Sequence, residues 1–171
     1  MKSVTNNIIL GTLLASVSLA ASALKEDTNQ PINIVSDNQS LDMNNSVVTF
    51  TDNVVITQGS ILIKANKVII TRPPQDSGKK ETVEAFGTPV TFHQLMDDGK
   101  PADGRANRVF YDLGKEFVTL TGNAQLKQLD STVDGEVITY DVKKQQLKAN
   151  SGAKGRVKTV LIPSQLNQHK K

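Results

Sequence analysis

The densest run of alternating and β-branched residues is Val47 to Thr71, V-V-T-F-T-D-N-V-V-I-T-Q-G-S-I-L-I-K-A-N-K-V-I-I-T. Such residues fit a pleated, half-buried surface, and Asp-Asn or Gly-Ser pairs turn a chain at little cost. The breaks at Asp52-Asn53, Gly59-Ser60 and Asn66 therefore predict four short strands in a tight meander. Similar runs flank it. Pro31 opens Ile32 to Val35, and Ser40 to Met43 alternates polar and apolar. Downstream come Thr82–Ala85, Val90–Gln94, Arg108–Leu113, Phe117–Thr121, Ala124–Gln128, Glu136–Tyr140 and Arg156–Ile162, the last closed by Pro163. Thr71 to Lys80, with two prolines, and Asp97 to Pro101 read as exposed loops. No window after residue 30 keeps helical spacing of apolar residues over three turns, so the pattern predicts an all-β chain.

The meander recurs. Val48-Thr49-Phe50-Thr51-Asp52-Asn53 lies over Val118-Thr119-Leu120-Thr121-Gly122-Asn123 at an offset of 70, and Leu41-Asp42 over Tyr111-Asp112 at the same offset. A finer spacing of 30 to 35 separates Asp52, Gly87, Gly122 and Gly152. A repeat of this kind is a stacking unit that cannot bury its apolar face alone. Side chains alternate between the faces of a strand. Val48, Phe50, Val54 and Ile56 share one face with their counterparts Val118, Leu120, Ala124 and Leu126, whereas Asp42, Thr49 and their counterparts point the other way. Sheets wet on one side pack face to face, so the expectation is a sandwich or jelly roll.

Composition adds a compartment. Lys2 followed by an uncharged apolar stretch ending in Ala21-Ser22-Ala23 reads as a cleavable signal peptide over residues 1–23, the mature chain starting at Leu24. The expected domain is 24–163, with Leu24 to Gln30 loose and 164–171 a flexible basic tail. After the leader the chain keeps nineteen basic against seventeen acidic residues and has no Cys. Disulfides, thiolate metal sites and Cys nucleophiles are thereby excluded. A basic stripe with interleaved aromatics, which nucleic-acid binding requires, is absent.

The stretch S-D-N-Q-S-L-D-M-N-N-S-V-V-T-F-T-D-N-V-V-I-T-Q-G from Ser36, with Thr71-Arg72-Pro73, closely resembles the OstA-like family of Gram-negative lipopolysaccharide export. Gly99-Lys100-Pro101, Leu120-Thr121-Gly122-Asn123-Ala124 and the Arg156 to Leu166 segment carry the likeness onward over nearly the whole mature chain. Asp52 departs from the pattern, standing where the family's turn usually has Gly. The resemblance implies an open β-jelly roll of about sixteen antiparallel strands, clasp-shaped, with copies stacking end to end like a solenoid. It implies a periplasmic protein that bridges the two membranes and shields the acyl chains of lipid A in an apolar trough. Its partners would be lipopolysaccharide, further copies of itself, LptC at the N-terminal edge and LptD at the C-terminal edge. Carried over residue by residue, the lipopolysaccharide contacts fall on Thr28, Ile32, Phe92 and Leu113.

The residues suit that role. Ile34, Leu41, Val48, Phe50, Ile61 and Ile63 form an apolar interior without catalytic groups, which reads equally as plain core or as the wall of a trough. The assembly edges are expected at Ile32 and Ile34 and at Val157, Val160 and Leu161. Of the two histidines, His93 is expected on the outside, and no nucleophile elbow, zinc motif or P-loop accompanies them. Asp97-Asp98-Gly99 lacks the other ligands of a Ca²⁺ loop, and no catalytic residue, metal or cofactor is expected. The basic groups Arg72-Lys79-Lys80 and Lys154-Arg156-Lys158 read as solvated, with phosphate contact at the lip as the alternative. The other functional readings are a structural β-solenoid with a filled core and a closed small-lipid binder.

Overall fold

In a computed structural model, the chain is described at residues 27, 29–96, 98–141, 143–144, 146–153 and 155–162. The expectations for the 1–23 leader, for Thr28 and for the 164–171 tail fall outside these residues. The described residues form ten strands: β1 (Asn33–Val35), β2 (Asn38–Asp42), β3 (Val47–Gln58), β4 (Ile61–Thr71), β5 (Thr82–Leu95), β6 (Pro101–Asp112), β7 (Phe117–Gln128), β8 (Ser131–Asp141), β9 (Gln146–Asn150) and β10 (Lys158–Val160). All pair antiparallel in one sheet, and only a 3₁₀ turn at Gln75–Ser77 interrupts the long loop after β4.

The described residues make ten continuous strands where about sixteen were expected, because six of them, β3 to β8, bend and supply a segment to each of two walls. Gly59-Ser60 is a hairpin turn, but Asp52-Asn53 and Asn66 lie inside strands. There the ladder skips: Thr51 and Val54 of β3 are the last and first paired residues either side of a break, opposite Lys67 and Ala65 of β4. Each later strand breaks in line with its neighbour, at Gly87-Thr88-Pro89, Asn107, Gly122-Asn123 and Glu136. An extra residue in a ladder bends the strand and raises its twist. Six bends in register make a corner that runs across the whole sheet.

That corner replaces the expected pair of separate sheets. Val54, Val68, Val90, Ala106, Ala124 and Ile138 flank it from six successive strands, and each is 2% exposed or less. A flat sheet leaves both faces to water, so such burial requires its two halves to close on each other. One wall holds β1, the far half of β3, alternate halves of β4 to β7, the near half of β8, and β10. The other holds β2, the complementary halves, and β9. The first and last strands pair only with β3 and β8, so the sheet does not close into a barrel.

Three hairpins on the second wall share one device. Asp42 Oδ1 accepts the N–H of Asn45, Asp112 Oδ1 that of Lys115, and Asp141 Oδ1 that of Lys144, each at 3.0 Å. Asp side chains favour turns because they bond to backbone a few residues on. These bonds hold all three carboxyls below their usual range, led by the side chain of Asn45 for Asp42, the backbone of Lys115 for Asp112 and the side chain of Lys144 for Asp141.

Candidate functional site

Rows of paired residues carry an apolar face along each wall, across all eight strands of the second and across seven of the first, where Thr159 of β10 follows Val133. On the first wall the ladder links Ile34, Ile56, Ile63, Phe92, Gly104, Leu126 and Val133. On the second, Leu41, Val48, Ile70, Val83, Tyr111, Val118, Tyr140 and Leu147 are linked in the same way. Gly104 leaves space for the aromatic ring: a Cβ there would meet Leu126 Cδ2 at 3.1 Å and Phe92 Cδ1 at 3.7 Å. Burial pushes the phenols of Tyr111 and Tyr140 above their ordinary range, with the Glu116 charge adding to it for Tyr111, so both remain neutral.

Exposure separates core from lip. Phe50 is 8% exposed and belongs with Ile56, Val68, Ala85 and Val90 in a packed cluster, against which Ile34, Val48 and Ile63 lie half-buried. Phe50 is therefore filled core. Phe92, Leu113 and Ile61 are half-buried, and Ile32 and Leu41 are each 60% exposed. Phe92 shares its row with Ile34 and Ile63. Leu113 sits past the end of β6 on the opposite wall, where its N–H bonds to Glu81 O at 3.2 Å, and Ile32 precedes β1. The structure thus spreads the family-derived positions over both walls rather than gathering them at one point. His93 points outward, as expected, and its Nδ1 lies 2.8 Å from Asp103 Oδ1.

The ends are the second feature. Among the described residues, Ile32, Val35, Leu41, Met43, Leu147, Val157, Val160 and Leu161 account for eight of the nine exposed large apolar side chains. All eight lie on or beside β1, β2, β9 or β10, and Leu95 is the exception. The expected edge residues Ile34 and Val160 lie in edge strands. Ile32, Val157 and Leu161 lie just outside them. Each wall has an open edge at both ends, so β2 and β9 are edges that pattern reading did not name. In β9, Q-L-K-A-N offers one large apolar residue and too little alternation to announce a strand.

Residues Leu24 to Gln30 are not uniformly loose, which corrects another expectation. Asp27 is buried, and its carboxylate accepts Ser60 N–H at 2.8 Å, Ser60 Oγ–H at 2.5 Å and Gln94 Nε2–H at 3.5 Å. The Ser60 hydroxyl, followed by the Ser60 backbone, holds the Asp27 carboxyl below its usual range against the opposing cost of burial. A Cβ on Gly59 would stand 2.0 Å from Asp27 Oδ1, so only glycine admits this clasp over the tip of the first wall.

Two surface concavities stand apart from the apolar rows. One, of about 260 Å³, lies between Arg105, Glu136, Ser151 and Arg156, and the other, of about 170 Å³, between Phe117, Thr139, Lys144 and Lys148. Among the described residues no cluster of His, Asp and Glu could hold a metal ion.

Residues 33–146 match the family model described as LptA/(LptD N-terminal domain) LPS transport protein. The chain is 73% identical to lipopolysaccharide export system protein LptA of Haemophilus influenzae over 99% of both chains. To the LptA of Escherichia coli it is 53% identical, over 97% of this chain and 91% of the relative. Its fold matches the crystal structure of LptH, described as the LptA homologous periplasmic component of the lipopolysaccharide transport device of Pseudomonas aeruginosa. That likeness has a TM-score of 0.70 at 26% identity and covers 81% of this chain and 99% of the other.

Proposed function

Because the chain belongs to the LptA/(LptD N-terminal domain) LPS transport protein family, we propose that it is a periplasmic carrier that holds lipopolysaccharide by its acyl chains between the two walls. The observation that carries this reading is the row from Ile34 through Phe92 to Val133, without a polar side chain across seven of the eight strands of the wall and meeting Thr159 in the last, β10. Burying one methylene is worth about 0.8 kcal/mol, so an acyl chain of a dozen carbons carried bare through water would cost on the order of 10 kcal/mol. A row that runs across seven adjoining strands removes that cost along nearly the whole path. The half-buried lip side chains, Phe92 and Leu113 with Ile32, are where acyl chains enter. The filled cluster around Phe50 and Val68 keeps the walls together.

The ladder also supports a bridge built of several copies. Each wall counts eight strands, so its first and last run in opposite directions. When β10 of one copy lies beside β1 of the next, and β9 beside β2, both junctions are antiparallel, and alternation continues without a fault. Unpaired edges invite such pairing. The two ends differ, so the contact is heterologous and extends into a filament. In this reading residues 1–23 direct export and are removed, the N-terminal edge receives LptC at the inner membrane, and the C-terminal edge meets LptD at the outer. The names of the relatives denote transport and not catalysis, in line with the expectation of no enzyme. The unclosed sheet argues against the closed small-lipid binder.

A photo-crosslinking side chain placed at Phe92 tests the carrier. Capture of lipopolysaccharide in cells is the expected result. Failure at Phe92, Ile32 and Leu113 together would leave the structural solenoid as the reading.

A further inference from the structure

The two ends of the molecule carry opposite charge. Residues 33–42, which form β1, β2 and their connector, contain Asp37 and Asp42 and no basic residue. Residues 146–160, which form β9, β10 and their connector, contain Lys148, Lys154, Arg156 and Lys158 and no acidic one. Among the described residues neither set is neutralised by an ion pair. Asp37 accepts from Asn53 Nδ2 at 2.6 Å and Asp42 from Asn45, both uncharged amides. Asp52, one strand in, accepts likewise from Asn38 Nδ2 at 3.2 Å. Among the described residues Lys148, Arg156 and Lys158 make no ion pair. Asp134 stands across from Lys158 in the ladder, but the Gln125 amide engages it at 2.5 Å.

The ladder places these charges where they would meet. Lys158 lies on the row that runs through Asp134, Gln125, Arg105, Thr91, Lys64 and Val55 to Val35. Lys148 lies on the row that ends at Ser40. Continued into a second copy, these rows bring Lys158 one diagonal step from Asp37 and Lys148 one diagonal step from Asp42. Diagonal neighbours on adjacent strands stand roughly 7–8 Å apart at Cα, within reach of long side chains. At the corner, Arg156 lines the C-terminal concavity with Arg105, beside Asp134 and Glu136, on the line where the Ser36-Asp37 connector of the next copy would arrive.

We propose that this charge difference is what makes the contact between copies head-to-tail: the acidic N-terminal end selects the basic C-terminal end of a second copy, and like charge rejects N-to-N and C-to-C pairing. The inference rests on the end-to-end reading above. Backbone pairing alone does not supply the selection, since an exposed edge accepts any antiparallel strand. Charge complementarity fixes orientation and suppresses wrong partners more than it adds affinity.

The test uses two reversed variants, followed by sedimentation velocity at low and high ionic strength. Asp37→Lys with Ser40→Lys makes the N-terminal end basic and leaves the Asp42 turn intact. Lys148→Glu with Lys158→Glu makes the C-terminal end acidic. Thermal midpoints close to that of the unsubstituted chain show that each variant folds. The expected result is self-association at least tenfold weaker for either variant alone, and recovered when the two are mixed, because each then presents an end that fits the other. Association of the unsubstituted chain should fall as salt is raised. Variants that assemble as well alone as the unsubstituted chain would overturn the charge assignment while leaving end-to-end stacking in place. An unsubstituted chain that stays monomeric at low salt would overturn the stacking itself, and the charge assignment with it.

Discussion

Asp52 and Gly122, seventy residues apart, occupy the same left-handed position in two copies of one corner, with φ of 64° and 81°. The residues after them agree, Asn53 at 50° and Asn123 at 49°. So do Ser46 and Glu116, at 53° and 52°, and Gly59 and Leu129, at 56° and 53°. The internal repeat is thus a repeat of backbone conformation: four left-handed positions recur at one offset, although only Asn53 and Asn123 keep the same residue.

Strain at this position should differ between the copies. A left-handed residue with a Cβ costs roughly 1–2 kcal/mol, less where Asp or Asn can bond locally. Asp52 has such a bond through Asn38 Nδ2. A Cβ at Gly122 would meet Asn107 Nδ2 at 2.9 Å. Gly122→Ala is therefore expected to destabilise the fold by about 1–2 kcal/mol, and Asp52→Gly to change it by less than about 0.5 kcal/mol, both read from urea denaturation.

Core and lip should respond oppositely to truncation. Ile138 is fully buried at the corner, and Ile138→Ala is expected to cost about 2–5 kcal/mol through the lost packing and the cavity left behind. Phe92→Ala and Leu41→Ala remove side chains that water already reaches, and should cost about 1 kcal/mol or less. Lipopolysaccharide capture should fall for Phe92→Ala and hold for Ile138→Ala at temperatures where that variant is folded. Parallel denaturation and crosslinking measurements check both halves.

The alternation of Val48 and Phe50 or of Val118 and Leu120 was enough to give the strand class, the inward face and the offset of the repeat. Breaks were harder to interpret. Gly59-Ser60 reverses the chain and Asp52-Asn53 only bends it, yet both present the same turn chemistry to a local pattern. What distinguishes them is that Val54 resumes pairing with the strand Thr51 had left, a fact about register between strands. Phe50 and Phe92 share the inward face, but only the closing of the walls decides that one is core and the other lip. Asp27 was invisible for a related reason, since its partners Ser60 and Gln94 lie 33 and 67 residues away.

Loss of the Asp27 clasp should free the N-terminal segment without unfolding the sheet. Hydrogen bonds to a charged acceptor are worth about 1.5–3 kcal/mol. Asp27→Ala is expected to raise amide exchange at Ser60 and Leu95, whose N–H groups bond to Asp27 and to Ser60 Oγ, while Val68 and Ile138 keep their protection. Hydrogen exchange followed residue by residue makes the comparison.

Acid should weaken the hairpins of the second wall. The carboxyls of Asp42, Asp112 and Asp141 sit below the unfolded value of about 3.9, so their contribution is complete above that pH. It declines as pH falls through their lower folded values, where protonation removes the charged acceptor. Replacing all three by Asn should flatten the fall of the thermal midpoint below about pH 4 and change it least at the acid end of the range, with calorimetry across pH 2 to 7 as the measurement.

Since each wall counts eight strands, the hairpin becomes the natural quantum of length for this architecture. Adding or removing one changes every wall by two strands and leaves the directions of the end strands, and therefore the fit between copies, as they were. Adding or removing a single bent strand would turn both junctions parallel and spoil the match. A carrier of this kind can be lengthened or shortened in whole hairpins while keeping compatible ends, in the way that only an even number of folds returns a strip of paper to the side it started from.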